Sequence, residues 1–287
     1  MTGPGVSGPF ARFVGVGLGV DVHSPPDWRA LLTSGIPCDF FEVYTRGELA
    51  GAQAIKAAAG DLPLLYHDDA LDPAFPAPPD AELLETCAAN MAAVGAPWCV
   101  SELATRRLGE RYLDFFQPML LNQEAARACA DNMRRLDAAL PGRVVAENPP
   151  YQLPVGPWHV LDALAWVTDA AQVPCVLDLG HLLSFQLCRG LEPLSGLDGF
   201  PLERVWELHV AGAQIETTDG VALYHDAHGA AEIPPTLLEM LAEVAPRCPQ
   251  LRAITIEIED ADLERTARQV EQTRAAVQGL LDARSRA

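Results

Sequence analysis

Eight short apolar segments alternate with helix-like segments along nearly the whole chain, and this alternation limits the fold more than any other feature. Each apolar segment is rich in β-branched residues and bounded by turn residues. We place these strands at Phe13–Asp21, Phe40–Thr45, Leu62–His67, Trp98–Glu102, Arg143–Asn148, Cys175–Asp178, Arg204–His209 and Ala253–Glu259. Almost continuous apolar strands are typical of a parallel sheet covered on both faces. Eight of them predict an α/β fold, a single (β/α)8 TIM barrel.

The segments between the strands have the period of amphipathic helices, about 3.6 residues. We place helices at Asp27–Ser34, Glu48–Ala59, Asp80–Val94, Gln123–Leu140, His159–Ala170, Leu183–Leu191, Pro234–Val244 and Asp262–Leu281. Residues 214–229, after the seventh strand, are expected to form a long loop without secondary structure of its own, and such loops are often functional. Residues 1–12 are expected to form an N-terminal tail and residues 13–287 one barrel domain.

The chain carries 39 acidic and 20 basic side chains, a formal charge of −19 with neutral histidines. This charge disfavours nucleic-acid binding, which needs a basic face. There is no uninterrupted apolar stretch of about 18 residues, so we expect no transmembrane helix and no membrane partner. The first residues lack the basic and apolar regions of a signal peptide, so a cytoplasmic location is expected.

Neither the cysteines nor the lysine indicates covalent catalysis. The 7 cysteines are scattered without C-x-x-C spacing, which favours reduced, buried thiols over disulfides or a zinc ribbon. Lys56, the single lysine, lies in a helical segment, whereas a barrel enzyme that forms a Schiff base would place its lysine at a strand end.

Acidic residues and histidines collect where the predicted strands end, and TIM barrels carry their active sites at that end. These residues are Asp21, His23, Glu42, His67, Glu102, Glu147, Asn148, Asp178, His181, Glu207, His209, Glu257 and Glu259, with Asp226 and His228 in the long loop. Residues i and i+2 of a strand share a face, so Glu207 and His209 point the same way. Carboxylates converging in a poorly solvated cavity must take up protons or bind a cation.

Each of these residues also has a structural interpretation, because a polar residue at a strand end can cap the next helix. We expect His159 to be such a cap, His225 to face solvent, and Asp21 and His23 to belong to a loop. The set Glu147, Asp178, His181, His209, Asp226, His228 and Glu257 favours a metal centre, because chance would have to place all of them at one end of the barrel. Imidazole and carboxylate without thiolate suit zinc, iron or manganese, and the number of ligands suits two or three ions.

The order of these residues resembles the metal-ligand order of xylose-isomerase-like barrels, which include zinc nucleases of the endonuclease-four type and sugar isomerases. Four motifs resemble a narrower group, the multinuclear non-heme iron-dependent oxidases that include the methanobactin-synthesis oxidase. The motifs are Phe40-Phe41-Glu42-Val43, Glu147-Asn148-Pro149-Pro150-Tyr151, Glu207-Leu208-His209-Val210-Ala211-Gly212 and Asp226-Ala227-His228-Gly229. The resemblance spans roughly Val14 to Glu271.

The resemblance implies a barrel with two or three irons, mixed Fe2+ and Fe3+, that uses O2 to modify a ribosomally made precursor peptide, usually at cysteine. It also implies a small partner protein that presents the peptide. Carried over by position, the implied metal ligands are His67, Glu147, Asp178, His181, His209, Asp226, His228 and Glu257. Glu147, Asp178, His209, Asn148 and Glu207 would be catalytic. Of these, Asn148 and Glu207 would either contact the ions or lie directly behind their ligands.

Two positions depart from the pattern of this family. The family commonly has Ser-Glu-His after the fourth strand, where this chain has Ser101-Glu102-Leu103, and its Asp-x-Asn-Asn becomes Asp178-Leu179-Gly180-His181. The loss of this imidazole would weaken the site of the ion that His67 helps to hold. The result would be either a dinuclear centre or a substitute ligand such as Glu102 or Asp68.

Three other functions fit the same residues. A divalent-metal isomerase or epimerase would use Glu147 and Glu257 as acid and base. A metal-binding partner subunit without activity would have lost part of the site, as Leu103 suggests. A zinc nuclease shares the ligand pattern but conflicts with the charge.

Overall fold

The computed structural model of this protein describes residue 6 and residues 8–44, 49–109 and 111–286. Eight parallel strands form a barrel: β1 (Gly15–Asp21), β2 (Phe41–Tyr44), β3 (Leu64–His67), β4 (Trp98–Glu102), β7 (Arg143–Glu147), β8 (Cys175–Asp178), β9 (Val205–Ala211) and β12 (Ala253–Glu257). They are bonded in the order β1, β12, β9, β8, β7, β4, β3, β2, and β2 is bonded back to β1, which closes the barrel. The predicted fold is confirmed, and every described strand end lies within two residues of its prediction.

Helices surround the barrel. They are α1 (Trp28–Thr33), α2 (Leu49–Ala59), α3 (Ala81–Val94), α4 (Gln123–Ala139), α5 (Val160–Ala171), α6 (Leu179–Arg189), α7 (Pro235–Val244), α8 (Leu263–Ala276) and α9 (Gln278–Ser285). Several begin at a side-chain cap: Asp80 accepts from the backbone N–H groups of Glu82 and Leu83, and Asn122 accepts from Ala125. Such caps fix the helix starts and with them the lengths of the loops at the barrel mouth.

Parts of four predicted elements fall outside the described residues. These parts are Thr45 at the end of the second strand, Glu48 at the start of the second helix, residues 1–5 and 7 of the tail, and residues 45–48, 110 and 287 of the barrel domain. The boundary between tail and barrel at residue 12 stays a prediction. Phe10, just before that boundary, is buried and packs edge-on against Phe40 and Trp98 at the amino-terminal end of the barrel.

Two predictions of secondary structure were wrong at the mouth. The loop predicted at 214–229 contains an antiparallel hairpin, β10 (Ala213–Thr218) and β11 (Val221–Asp226). Its turn residues Asp219 and Gly220 both have positive φ, as a two-residue type I′ turn requires. The sixth helix was predicted from Leu183 but begins at Leu179, because the Asp178 side chain accepts from the backbone N–H of His181 and caps it.

A second hairpin was not predicted at all. It consists of β5 (Ala104–Leu108) and β6 (Arg111–Pro118), and it extends from the end of β4 over the same mouth. The last predicted helix is also two helices, α8 and α9, which Val277 separates. Among the described residues, no helix combines the length and apolar character needed to cross a membrane.

The lower half of the barrel interior is apolar and tightly filled. Phe40, Leu65, Trp98 and Val145 are fully buried there. A Cβ at Gly17 would lie 2.5 Å from the ring of Phe40, so only glycine leaves room for that ring. This packed base confines water and ligands to the upper half, where the strands end.

Candidate metal centre

The strand ends supply a layer of buried acids and imidazoles to the upper half of the barrel. His67, Glu147, Asp178 and Glu257 are the last residues of β3, β7, β8 and β12, and each is at most 5% exposed. His209 lies opposite Asp178 in the ladder between β9 and β8. Alternation along a strand turns these side chains inward, so one layer of the barrel collects them all.

Two carboxylates and two imidazoles alternate around the centre of this layer, and we name Glu42, His67, Glu147 and His209 the Glu–His ring. His209 lies between the two acids, with Nε2 3.2 Å from Glu42 Oε2 and Nδ1 2.9 Å from Glu147 Oε1. His67 faces the same acids, with Nδ1 3.6 Å from Glu42 Oε1 and Nε2 3.5 Å from Glu147 Oε2. The ring thus brings donors from four strands within reach of one another.

A second group lies beside the ring, towards the hairpin β10–β11. His181 Nε2 lies 3.1 Å from Asp226 Oδ2, while its Nδ1 lies 2.8 Å from the backbone oxygen of Asn148. The carbonyl of Asn148 accepts from a protonated Nδ1, so a metal ion that displaced the proton from Nε2 would bind that nitrogen, a common arrangement of metal-binding histidines. His228 Nε2 lies 3.3 Å from the same Asp226 oxygen and 3.6 Å from Glu257 Oε2.

The donor atoms of these groups fit metal ions, because many of them are buried without a hydrogen-bond partner. They are both carboxylate oxygens of Glu42 and of Glu147, both ring nitrogens of His209, His67 Nδ1, Asp178 Oδ2 and Glu257 Oε2. In the Glu–His ring these atoms contact one another as ion pairs at 2.9–3.6 Å. Burying charged groups is costly even when they are paired, and a bound cation would offset that cost. Three triads bring one donor atom from each residue within 4.8 Å of one another: Glu42–His67–His209, Glu147–Asp178–His209 and Asp178–His181–Glu257.

In the absence of a metal ion, the pKa values of the imidazoles and carboxyl groups in this centre are shifted, and the shifts indicate the same need for a cation. Burial lowers the pKa of His67, but Glu42 and Glu147 outweigh this effect and raise it to about 10. Burial also lowers the pKa of His209, and the same acids raise it well above its usual value. Burial raises the pKa of Asp178 to about 7. Without metal ions, bound protons therefore compensate the buried negative charge that metal ions would otherwise compensate.

Asn148 and Glu207 lie behind the donor layer. The side-chain amide of Asn148 donates to the backbone oxygen of Asp178 at 2.9 Å and accepts from the backbone N–H of Asp178 at 2.9 Å. Glu207 accepts from Trp98 Nε1 at 2.8 Å and from the Thr255 hydroxyl at 2.5 Å. Glu207 Oε1 also lies 3.5 Å from His209 Nε2. Both residues therefore hold a donor in place.

The geometry adds residues that were absent from the predicted ligand set. Glu42 is fully buried in the Glu–His ring, and a lone acid inside the apolar strand Phe40–Val43 was the signal for it. Tyr44 donates to Glu257 Oε1 at 2.5 Å, and Tyr224 has a buried hydroxyl without a partner near Gly180. No sequence pattern distinguishes these tyrosines from core residues.

Four polar residues do not join the centre. Asp21 accepts from the backbone N–H of His23 and from the Ser24 hydroxyl, within a loop. His159 caps α5 through Nδ1, and half-exposed His225 lies 3.6 Å from Glu216. These positions match their structural interpretations.

The position where the resembling family has histidine holds Leu103, which is buried in the apolar core. The neighbouring Glu102 carboxylate lies 3.6 Å from His181 Nδ1. Burial raises the pKa of Glu102 to about 8, so it holds a proton at neutral pH. His181 thus lies beside Glu102 and provides an imidazole in that part of the layer.

The centre opens into a cavity of about 810 Å³. One side of the cavity is lined by the residues of the centre, including Tyr44, His67, His181 and Glu257, and the other side by hairpin β5–β6 and residues 150–155. A volume in this range accommodates a small molecule or a few peptide residues.

Known proteins resemble the chain in sequence and in fold. Residues 14–279 match a protein family described as RiPP precursor modification enzyme MbnB/TglH/ChrH, where RiPP denotes a ribosomally made, post-translationally modified peptide. A UPF0276 protein of Caulobacter vibrioides (strain NA1000 / CB15N) is 29% identical over 229 residues, 74% of this chain and 80% of the relative. UPF0276 protein NMB2142 of Neisseria meningitidis serogroup B is 27% identical over 193 residues, 66% and 68% of the two chains.

Two solved structures share the fold. Endonuclease IV from Thermus thermophilus matches with a TM-score of 0.57 and 16% identity over 92% of this chain and 99% of its own. The 3-keto-D-glucoside 4-epimerase YcjR from E. coli, in its apo form, matches with a TM-score of 0.59 and 13% identity over 93% and 100%. At such identities the likeness concerns the fold alone, which is a TIM barrel as predicted.

Proposed function

Because the chain belongs to the RiPP precursor modification enzyme MbnB/TglH/ChrH family, we propose that it is an iron- and O2-dependent oxidase that modifies a precursor peptide, at cysteine. The centre would hold two or three irons, mixed Fe2+ and Fe3+. A small partner protein would present the peptide. The observation that carries this proposal is the set of buried carboxylate and imidazole atoms without hydrogen-bond partners beneath an open cavity.

The chemistry of the donors is compatible with iron. Carboxylates and imidazoles without thiolates suit iron, zinc and manganese, and carboxylates such as Glu147 can bridge neighbouring ions. Iron bound there would supply a site for a substrate thiolate and electron transfer to O2. The electrons lost by the peptide equal those gained by O2, which leaves as water or hydrogen peroxide after taking up protons.

The protein groups around the donors have separate tasks in this proposal. Asn148 keeps Asp178 oriented through the two hydrogen bonds described above, and Glu207 keeps His209 oriented through the 3.5 Å contact between its Oε1 and His209 Nε2. Tyr44 orients Glu257 and lines the cavity, so it also limits where a substrate can enter. The packed base around Phe40 and Trp98 closes the barrel from below, so substrate and O2 reach the centre only from the mouth.

Metal analysis and oxygen uptake test this proposal together. The protein is purified without oxygen, its bound metals are measured, and O2 consumption is followed after addition of cysteine-containing peptides. Two or three irons per chain with peptide-dependent O2 uptake support the oxidase. Stoichiometric zinc or manganese without O2 uptake would overturn it and favour the isomerase or the inactive partner subunit.

The matched control is His225→Ala, because His225 is a half-exposed histidine outside the centre. It should retain the metal and the O2 uptake of the unmodified protein. His209→Ala removes a fully buried member of the Glu–His ring and should lose both.

A further inference from the structure

The cavity above the centre is divided into a charged half and an apolar half. The charged half is lined by five of the donors, His67, His181, Asp226, His228 and Glu257. The apolar half has four large side chains at its surface, Phe115, Leu120, Leu153 and Val155, which we name the apolar wall. Each is more than half exposed. Exposed apolar groups that cluster around one cavity mark a binding site more often than scattered ones do.

The backbone beneath the apolar wall is firmly held. The backbone N–H of Leu121 donates to the oxygen of Val155 at 2.8 Å and joins the segments that carry Leu120 and Leu153. The Tyr151 hydroxyl donates to the oxygen of Met119 at 2.7 Å, and its backbone N–H donates to the Ser184 hydroxyl at 2.9 Å. A surface held in this way binds without a large ordering cost.

Charge is nearly absent from this half of the cavity. Its polar residues include Gln117 and Gln152, and its charged residues are Arg106 and Asp69. Their charges compensate each other in an ion pair, with Arg106 Nη2 2.6 Å from Asp69 Oδ2. The Arg106 guanidinium also lies 4.0 Å from the ring centre of Phe116. A ligand that fills this half therefore matches the wall best with uncharged, apolar groups.

We propose that the apolar wall receives large apolar side chains that flank the reacting residue of the peptide, and so determines which peptides bind. This inference rests on the proposed peptide-modifying function. Three observations support the occupant: the wall is continuous with the cavity of the metal centre, it is electrically neutral, and about 810 Å³ holds a few residues rather than a folded domain.

Synthetic peptides of one design test the proposal. They have the sequence acetyl-Gly-Xaa-Xaa-Cys-Xaa-Xaa-Gly-amide, with Xaa as Leu, Phe, Ser or Asp, and binding is measured by calorimetry without oxygen. A second set has Ser at the central position. These peptides lack the thiol, so their affinity reports on the apolar wall alone. We expect the Leu and Phe peptides of both sets to bind at least about tenfold more tightly than the Ser and Asp peptides, a difference of about 1.4 kcal/mol.

Matched variants show whether the wall causes this preference. Phe115→Asp and Leu153→Asp should each weaken binding of the Leu peptides about tenfold. Leu108→Asp is the control, because Leu108 lies on the same hairpin as Phe115 and is equally exposed, 61% against 59%, but does not line the cavity. It should leave binding unchanged. Circular dichroism shows whether each variant is folded.

The outcomes separate this inference from the proposed function. The proposed role of the apolar wall is supported, and the proposed oxidase function is overturned, if the preference for apolar peptides is lost in the wall variants and no O2-dependent change of the peptide is seen. Peptide oxidation with equal affinity for the Leu and Ser peptides overturns the wall and leaves the oxidase. The wall is also overturned if no peptide binds, or if Phe115→Asp only dissociates a dimer in sedimentation and leaves peptide affinity unchanged.

Discussion

The hydroxyl of Tyr44 donates a 2.5 Å hydrogen bond to Oε1 of Glu257, and its ring lies 4.4 Å from the ring of His67. One side chain from β2 thus contacts two members of the donor layer that come from opposite sides of β2. A group that orients metal ligands in this way commonly changes metal affinity by about 10 to 100-fold.

Tyr44→Phe should therefore lower the affinity for Fe2+ by at least about tenfold while the fold is kept, because Glu257 loses its orienting donor. Anaerobic competition with a chromogenic chelator measures this affinity. Tyr112→Phe is the control, since the Tyr112 hydroxyl also donates to a carboxylate, Asp72 at 3.1 Å, but outside the centre. Equal affinities of the two variants would contradict an orienting role of Tyr44.

Asp178→Ala and His209→Ala should each reduce the bound metal by at least one ion per chain, because each residue belongs to two of the donor triads. Elemental analysis measures the metal, and the circular dichroism spectrum should remain that of the folded barrel. Full metal retention in both variants would remove them from the ligand set.

Thr255→Val should lower the free energy of unfolding by about 1.5–3 kcal/mol, because the fully buried Thr255 hydroxyl donates to the Glu207 carboxylate at 2.5 Å. Urea unfolding of the metal-free protein measures it. Thr168→Val is the matched control: that hydroxyl is equally buried but donates to the backbone of its own helix, a weaker interaction. Losses of the same size in both variants would show that the carboxylate adds nothing.

Metal binding should release protons, and metal affinity should rise with pH. Glu42 and Glu147 outweigh burial and raise the pKa of His67 to about 10, so this imidazole is protonated at pH 7 in the metal-free protein. A metal ligand must be neutral imidazole, so binding displaces the proton, and the penalty shrinks as pH approaches the raised pKa. Calorimetry in buffers of different ionisation enthalpy counts the protons. His67→Gln should release fewer of them, and heats independent of the buffer would refute the prediction.

The barrel could be predicted from the sequence because its strands are buried on both faces and consist of nearly unbroken apolar residues. The hairpin β10–β11 was not predicted by this criterion, because residues 214–220 are exposed and contain no apolar run. The dipeptide Asp219-Gly220 was the available signal, because it suits the two positive φ angles of a type I′ turn.

The donor layer was predictable to the extent that strand ends mark it. His67, Glu147, Asp178 and Glu257 end strands, and the structure brings them together. The distances between side chains on different strands depend on barrel closure and register, which no local pattern contains. For the same reason the contacts of Tyr44 and the position of the apolar wall emerged only in three dimensions.

Because part of the centre comes from the hairpin β10–β11, its metal sites should differ in the rate at which they exchange ions with solution. Asp226 comes from this projecting hairpin, whereas the Glu–His ring comes from the closed sheet. Exposed hairpins open by local unfolding at lower free energy than closed sheets do, and their amide hydrogens exchange sooner. An ion bound through Asp226 should then exchange with solution many times while an ion bound in the Glu–His ring stays in place. The protein should therefore lose and regain its metal ions one site at a time.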